Sequence, residues 1–353
     1  MKNFCSDNVT GVAPDILAAI ANANQDAAMP YGNDPLTQKV EARFAEVFET
    51  EVKVFLVATG SAANSLALAT LSPSYGAVYC HEEAHIHVDE CGAPEFFTGG
   101  AKLVLLPGAH GKISATLLDE RLKQAGIGVV HHVQPAAVSI TQATEAGTVY
   151  AVEEVAAIAQ VAHHYQLPFH MDGARFANAL VHLGCTPAEI TWKAGVDVLS
   201  FGATKNGAMA AEAVVFFNPD AAQTFHFRRK QGGHLFSKMR FLAAQFDAYL
   251  AGDRWLHYAN HSNQMAARLA KGLQSIPGVR LCHPVDANEL FVEMPTAMIE
   301  GLMADGFQFY QWEADNRIRL VTAFNTPADA VDELLVSARR HAPQEEGAIA
   351  SLA

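Results

Sequence analysis

Short apolar runs alternate along this chain with longer stretches in which apolar residues recur every three or four positions. Val54-Phe55-Leu56-Val57 is continuously apolar, Thr59-Gly60-Ser61-Ala62 is a turn of small residues, and residues 63–71 are rich in Ala and Leu. That order predicts strand, tight turn and helix. Further strand-like runs occur at 77–80, 102–106, 129–133, 167–171, 196–201 and 213–217, with a helical stretch at 152–165. Apolar strands separated by helices are buried on both faces, so the pattern predicts an α/β unit with a mostly parallel sheet. After about residue 250 the pattern changes. One long helix is expected over 255–275, stopped by Pro277-Gly278, followed by strands at 279–281, 289–293 and 318–322 and helices at 296–304 and 328–340. The chain thus divides into a large unit over 1–250, N-terminal segment included, and a small α+β unit over 251–353, with a frayed tail from Pro343.

Several residues break these patterns in ways that carry chemistry. Asp172 follows the apolar run ending in His170-Met171, which puts it at the carboxyl end of a strand, where open α/β sheets bind ligands. The competing reading is a helix N-cap. Arg175, three residues on, offers a planar fork that matches a carboxylate. Lys205 lies between Phe201-Gly202-Ala203 and Gly207-Ala208-Met209-Ala210, a setting unlike a solvated face and suited to an amine that forms an imine. An acid at one strand end and a lysine at another are what pyridoxal phosphate chemistry needs: one holds the pyridine nitrogen protonated, the other holds the aldehyde as a Schiff base. The Thr59-Gly60-Ser61-Ala62 turn adds backbone N–H groups at a helix start, which favour phosphate. It is neither a Walker A loop nor a Rossmann fingerprint. Arg319 alternates with apolar neighbours, pointing either inward or to solvent.

The segment Cys80-His81-Glu82-Glu83-Ala84-His85-Ile86-His87-Val88-Asp89-Glu90-Cys91 is dense in possible metal ligands but matches no standard zinc spacing, and no metal is assigned. It also describes a cofactor pocket, with a histidine to stack and move protons. The net charge of −13, with no basic cluster larger than Arg228-Arg229-Lys230, argues against nucleic acid. Five scattered cysteines fit a reducing compartment, and neither a signal peptide nor a membrane span is visible, so a cytoplasmic enzyme is expected.

Taken together these residues resemble the threonine aldolases, in particular the low-specificity L-threonine and phenylserine aldolases, among the fold type I (aspartate-aminotransferase-like) pyridoxal phosphate enzymes. The resemblance runs from Ser6-Asp7-Asn8-Val9-Thr10-Gly11 through Pro30-Tyr31-Gly32-Asn33-Asp34-Pro35, the turn at Gly60, the histidine segment and Asp172-Gly173-Ala174-Arg175 to Lys205 and about Thr322. It implies a mostly parallel seven-stranded sheet and a small C-terminal unit. It implies that Lys205 carries the cofactor, Asp172 contacts the ring nitrogen, Gly60, Ser61 and Ala62 hold the phosphate, and His85 stacks on the ring. Ser6, Arg175 and Arg319 would grip the substrate carboxylate, and Tyr31 would enter from a neighbouring subunit of a homotetramer with sites at the dimer interface. Two departures stand out. A family histidine is Thr144 here, in Thr141-Gln142-Ala143-Thr144-Glu145. The family's phosphate-binding arginine segment reads Gly232-Gly233-His234-Leu235-Phe236-Ser237-Lys238, leaving Lys238 or Arg229 as the second phosphate contact.

The implied reaction is reversible cleavage of a β-hydroxy-α-amino acid to glycine and an aldehyde. His85 is the first candidate base and His87 the second. Rival readings are β-elimination or transamination on the same cofactor, or a metal-binding protein using Cys80, His81, His85, His87 and Cys91.

Overall fold

In the computed structural model, which describes residues 2–312 and 316–343, seven strands form one sheet: β1 (Lys53–Val57), β2 (Gly76–His81), β3 (Lys102–Leu106), β4 (Gln134–Thr141), β5 (Phe169–Gly173), β6 (Val198–Gly202) and β7 (Glu212–Phe216). Their order is β1-β7-β6-β5-β4-β2-β3. Only β7 runs against its neighbours. Strands β2, β5, β6 and β7 are buried along their whole length, as strands of a sheet covered on both faces are. One face carries a ring cluster of Phe44, Phe48, Phe176, Phe201, Phe246 and Trp255, in which Phe44 and Phe201 meet edge to face at 5.3 Å. On the other face the Gly60–Leu71 helix packs Ala63, Leu66 and Ala67 against Val198, Val214 and Phe216.

The run at 129–133 is not a strand. Gly126 and Gly128 turn the chain at φ +70° and +80°, and Val130 is 91 % exposed. The strand starts at Gln134, where the backbone finds partners on both sides: Gln134 opposite Gly76, then Val138 opposite Phe169. Pairing, not apolar content, decided the register.

A second, antiparallel sheet has the order β10-β11-β9-β8, with β8 (Arg280–Leu281), β9 (Glu289–Glu293), β10 (Tyr310–Trp312) and β11 (Arg317–Val321). Helices Arg254–Gln274, Thr296–Ala304 and Ala328–Arg340 bury its apolar side, and the last two match the expected spans. The N-terminal residues, expected with the large sheet, first join this core. Phe4 is buried there, its N–H donates to Gln308, and its carbonyl accepts from Val321. The chain then crosses back, and the Ala13 N–H donates to the Gly207 carbonyl at 2.8 Å. Residues 344–353, most of the tail expected to fray, lie outside the described residues. Among the described residues no helix is long and apolar enough to cross a membrane.

The parallel strands end together. Thr141, Asp172 and Ser200 sit side by side at the carboxyl edge of β4, β5 and β6. Just past β6, Lys205 lies in a one-turn helix, Thr204–Asn206, closed by Gly207 at φ +107°. A side chain at Gly207 would be strained by that φ and would press on Ala13 at 3.2 Å.

Candidate active site

A cavity of about 400 Å³ opens at this edge. Asp172 lies in its wall, 4 % exposed, and is the last side chain of β5 before Gly173 rather than a helix cap. Its Oδ2 accepts from Asn64 Nδ2 at 2.7 Å and its Oδ1 from the Ala174 N–H at 2.9 Å. Asn64 Nδ2 donates equally to Glu90 Oε1, at 2.9 Å. Glu90 in turn meets His85 Nδ1 at 2.9 Å. A continuous polar chain therefore links Asp172 to His85. That hydrogen bond to Glu90 is the main cause holding the His85 imidazole above its ordinary pKa, outweighing the opposing effect of burial.

Lys205 lines the same cavity, as do Gly60 and Ser61 at the start of the Gly60–Leu71 helix. Ala62 does not line it; its N–H is taken by the capping oxygen of Thr59 at 3.2 Å. The first-turn amides of Gly60 and Ser61 are thus the ones presented to the cavity. An acceptor carboxylate, an amine and a helix N-terminus around one pocket make a donor set that fits pyridoxal phosphate.

The sequence matches the family model described as "Beta-eliminating lyase" over residues 3–297. It is 47 % identical over 334 residues to the low specificity L-threonine aldolase of Pseudomonas aeruginosa, covering 94 % of this chain and 96 % of that one. It is 44 % identical to the enzyme of that name from a Pseudomonas species, covering 96 % and 97 %. Among solved structures, a Leishmania major threonine aldolase superposes with a TM-score of 0.90 at 29 % identity, over 96 % of this chain and 99 % of that one.

The chain belongs to the β-eliminating lyase family, and within it to the threonine aldolases.

It is therefore a lyase, with the expected α/β fold. In this lyase a second, outer cavity of about 620 Å³ continues from the first toward the small sheet and is lined by Ser6, Glu289, Tyr310 and Arg319. Asn8, His85, Glu145, Arg175 and Lys205 line both cavities and so ring the neck between them. The Arg175 fork, expected to receive a substrate carboxylate, is filled by the protein itself. Its Nε and NH2 donate to Asp7 at 2.8 and 3.0 Å, and its NH1 pairs with Glu289. Burial alone would raise Asp7, but the charges of Arg175 and Lys205, with hydrogen bonds from Arg175 and Asn288, leave it below the ordinary carboxylate range. Arg319 points inward. It reaches Glu289 at 3.8 Å and the Cys5 carbonyl at 3.2 Å, and its Nε is buried with no hydrogen-bond partner.

Other expected residues are placed elsewhere. His87 is exposed and lines neither cavity, so the second candidate base is not at the site. Tyr31 is 45 % exposed, with its ring under Lys230, and lies outside both cavities of its own chain. Neither Arg229 nor Lys238 lines the inner cavity; Arg229 lies over the Phe55 ring and Lys238 is exposed. Thr144 does line it, and its hydroxyl is bonded to Thr148 at 2.8 Å. The five residues of the metal-binding rival do not converge: Cys80 is buried, Cys91 and His87 are exposed, and among the described residues no group of three or more such side chains is placed to hold an ion.

Asn64, Glu90, Glu145 and Glu212 line the cavity without having been singled out in the sequence. Burial pushes Glu145 up to about 7 against hydrogen bonds from His85 and Thr141. It pushes Glu212 up to about 7 against those from Thr204 and the charge of Lys205. The signal for Glu212 was present in Ala210-Ala211-Glu212-Ala213-Val214, a lone acid inside an apolar run, the same kind of anomaly that marked Lys205.

Proposed function

We propose that this lyase binds pyridoxal 5′-phosphate and cleaves L-β-hydroxy-α-amino acids such as L-threonine and L-allo-threonine reversibly to glycine and an aldehyde, with little selectivity at Cβ. The observation that carries the reading is the placement of Asp172 and Lys205 around one cavity beside the open helix start at Gly60 and Ser61. The names of the Pseudomonas relatives support the substrate class. Bound there, the cofactor supplies a ring that withdraws the electron pair released at Cα.

The chain's own residues do the rest. Asp172, fixed by Asn64 and the Ala174 N–H, presents its carboxylate to the ring nitrogen. The N–H groups of Gly60 and Ser61 hold phosphate oxygens. Lys205, whose amine lines the same cavity, would hold the cofactor's aldehyde end. His85, anchored by Glu90, would hold the face of the ring. Arg319 and Ser6 receive the substrate carboxylate, while Arg175, held by Asp7 and Glu289, fixes the wall and adds its charge. Pinning the carboxylate sets rotation about the N–Cα bond, so that Cα–Cβ, rather than Cα–H, is aligned for cleavage. We take residues 1–250 as the cofactor-binding part and 251–353 as the part that closes the mouth. The exposure of Tyr31, Met29 and Met209 supports a homotetramer in which Tyr31 reaches a neighbour's site. Five free cysteines support a cytoplasmic setting.

Borohydride reduction followed by peptide mapping tests the assignment, with a pyridoxyl group expected on Lys205. Incubation with threonine, allo-threonine and both phenylserine diastereomers is expected to yield glycine and the matching aldehyde. A label at another residue, or pyruvate and ammonia as products, overturns the reading.

A further inference from the structure

The neck between the two cavities has five residues, and three already have work. Lys205 and Arg175 are assigned above, Asn8 does not ionise, and His85 is tied through Nδ1 to Glu90 in a contact that favours its protonated form. A contact that favours the protonated imidazole makes it a poorer proton acceptor. Glu145 is the remaining ionisable group. Its Oε1 accepts from the His85 N–H at 2.7 Å and from Thr141 Oγ1 at 2.8 Å. Its Oε2 is buried and has no hydrogen-bond partner. A buried acceptor left unpaired forfeits the hydration it had in water, so such an atom marks a place where a donor is wanted.

We propose that Glu145 is a catalytic residue of this lyase, whose Oε2 takes the proton of the substrate's β-hydroxyl as Cα–Cβ breaks and returns it in the reverse direction. The inference rests on the function proposed above. The O–H electron pair becomes the second C–O bond of the aldehyde, and the Cα–Cβ pair stays on Cα and becomes a C–H bond of glycine. One proton leaves the hydroxyl and one joins Cα, so the reaction neither consumes nor releases protons. A free Oε2 also selects for substrates that carry a β-hydroxyl, because only they supply the missing donor.

The electrostatic setting agrees with this role. Besides His85 and Lys205 across the neck, Glu145 faces Asp172 from β5, Arg175 after it, Cys80 from β2 and the Tyr150 hydroxyl. Burial is the largest influence on Glu145, and it places the proton's release at about 7. A carboxylate poised there is a stronger base than an ordinary one.

The test uses the holoenzyme and its Glu145→Gln and Glu145→Asp variants. Three readouts are followed beside cofactor absorbance: threonine cleavage, exchange of a glycine α-hydrogen with deuterium, and the infrared carboxylic C=O band across neutral pH. Glycine has no β-hydroxyl, so its exchange does not need Glu145. Glu145→Gln is expected to keep its cofactor, lose about 10²–10⁴-fold in threonine cleavage, and exchange glycine within about threefold of the unaltered enzyme. The band that titrates near pH 7 should vanish from it. Glu145→Asp should cleave at an intermediate rate and retain the acid limb of the kcat/KM profile, which also guards against a Gln variant that fails to fold. Unchanged cleavage in Glu145→Gln overturns the proposal. So does a parallel loss of cleavage and glycine exchange with the cofactor still bound, which would make Glu145 a support for the whole site. If the unaltered protein neither binds pyridoxal phosphate nor exchanges glycine, the proposed function fails instead, and this inference with it.

Discussion

The inner cavity and the outer mouth both hold buried carboxylates, yet they meet the proton with opposite sign. Asp7, which braces the Arg175 wall of the mouth from behind, lies between Arg175 and Asn288 and sits below the ordinary carboxylate range. Its contribution to stability is fully present above its unfolded value of about 3.8 and is lost as pH falls through the depressed folded value. Glu145 and Glu212 in the inner cavity are raised to about 7. The stability they allow is fully present below about 4.5 and is lost as pH rises from there through 7. The mouth is built to hold itself together at neutral pH. The inner cavity holds groups that are uncomfortable when charged, as acid–base chemistry requires.

Four substitutions separate the two regions. The largest effect is expected inside: Lys205→Ala should lose about 10⁴-fold or more in turnover, while its thermal unfolding midpoint stays within a few degrees. A large drop in that midpoint would show the inner cavity to be as structural as the mouth. Arg175→Leu should do the reverse, destabilising the fold by about 3–5 kcal/mol in chemical denaturation, because Asp7 and Glu289 are left buried without their cation. Next comes Glu212→Gln. From the shift of about 4.5 to about 7, it should stabilise the protein by roughly 3 kcal/mol at pH 8 and by almost nothing at pH 4. Equal gains at both pH values would remove the contrast between the two regions. The smallest effect is expected for Arg319→Ala, a rise in KM of about tenfold with kcat within twofold, the signature of lost uniform binding. A fall in kcat instead would place Arg319 closer to the reacting bond than the mouth.

The inner cavity was largely legible in the sequence. Asp172, Gly60 and Lys205 announce themselves because each interrupts or ends an apolar run, and strand ends face ligands in this fold class. The helix at 328–340 was legible for a similar reason, since an amphipathic period carries its own boundaries. The strand at 134–141 was not, because it begins with Gln134-Pro135, and its position follows from pairing with β2 and β5. The mouth was only half legible. Arg175 and Arg319 were visible as residues, but that Asp7 fills the Arg175 fork depends on a contact across 168 positions. Glu90 and Glu145 lie in polar surroundings in the sequence, and only the fold brings both to His85, Glu90 buried and Glu145 half-buried with its Oε2 atom enclosed.

The bond from Asn288 to Asp7 spans 281 positions, and it has a consequence for synthesis. On a ribosome adding about 5–20 residues per second, Asp7 emerges roughly 15–55 s before its second partner exists. Arg175 appears in between, able to pair with Asp7 but lacking Glu289. A nascent chain therefore passes through a long interval with a half-compensated ion cluster. Chains truncated before residue 288 should therefore be less stable than the full chain, measurable as earlier unfolding in denaturant.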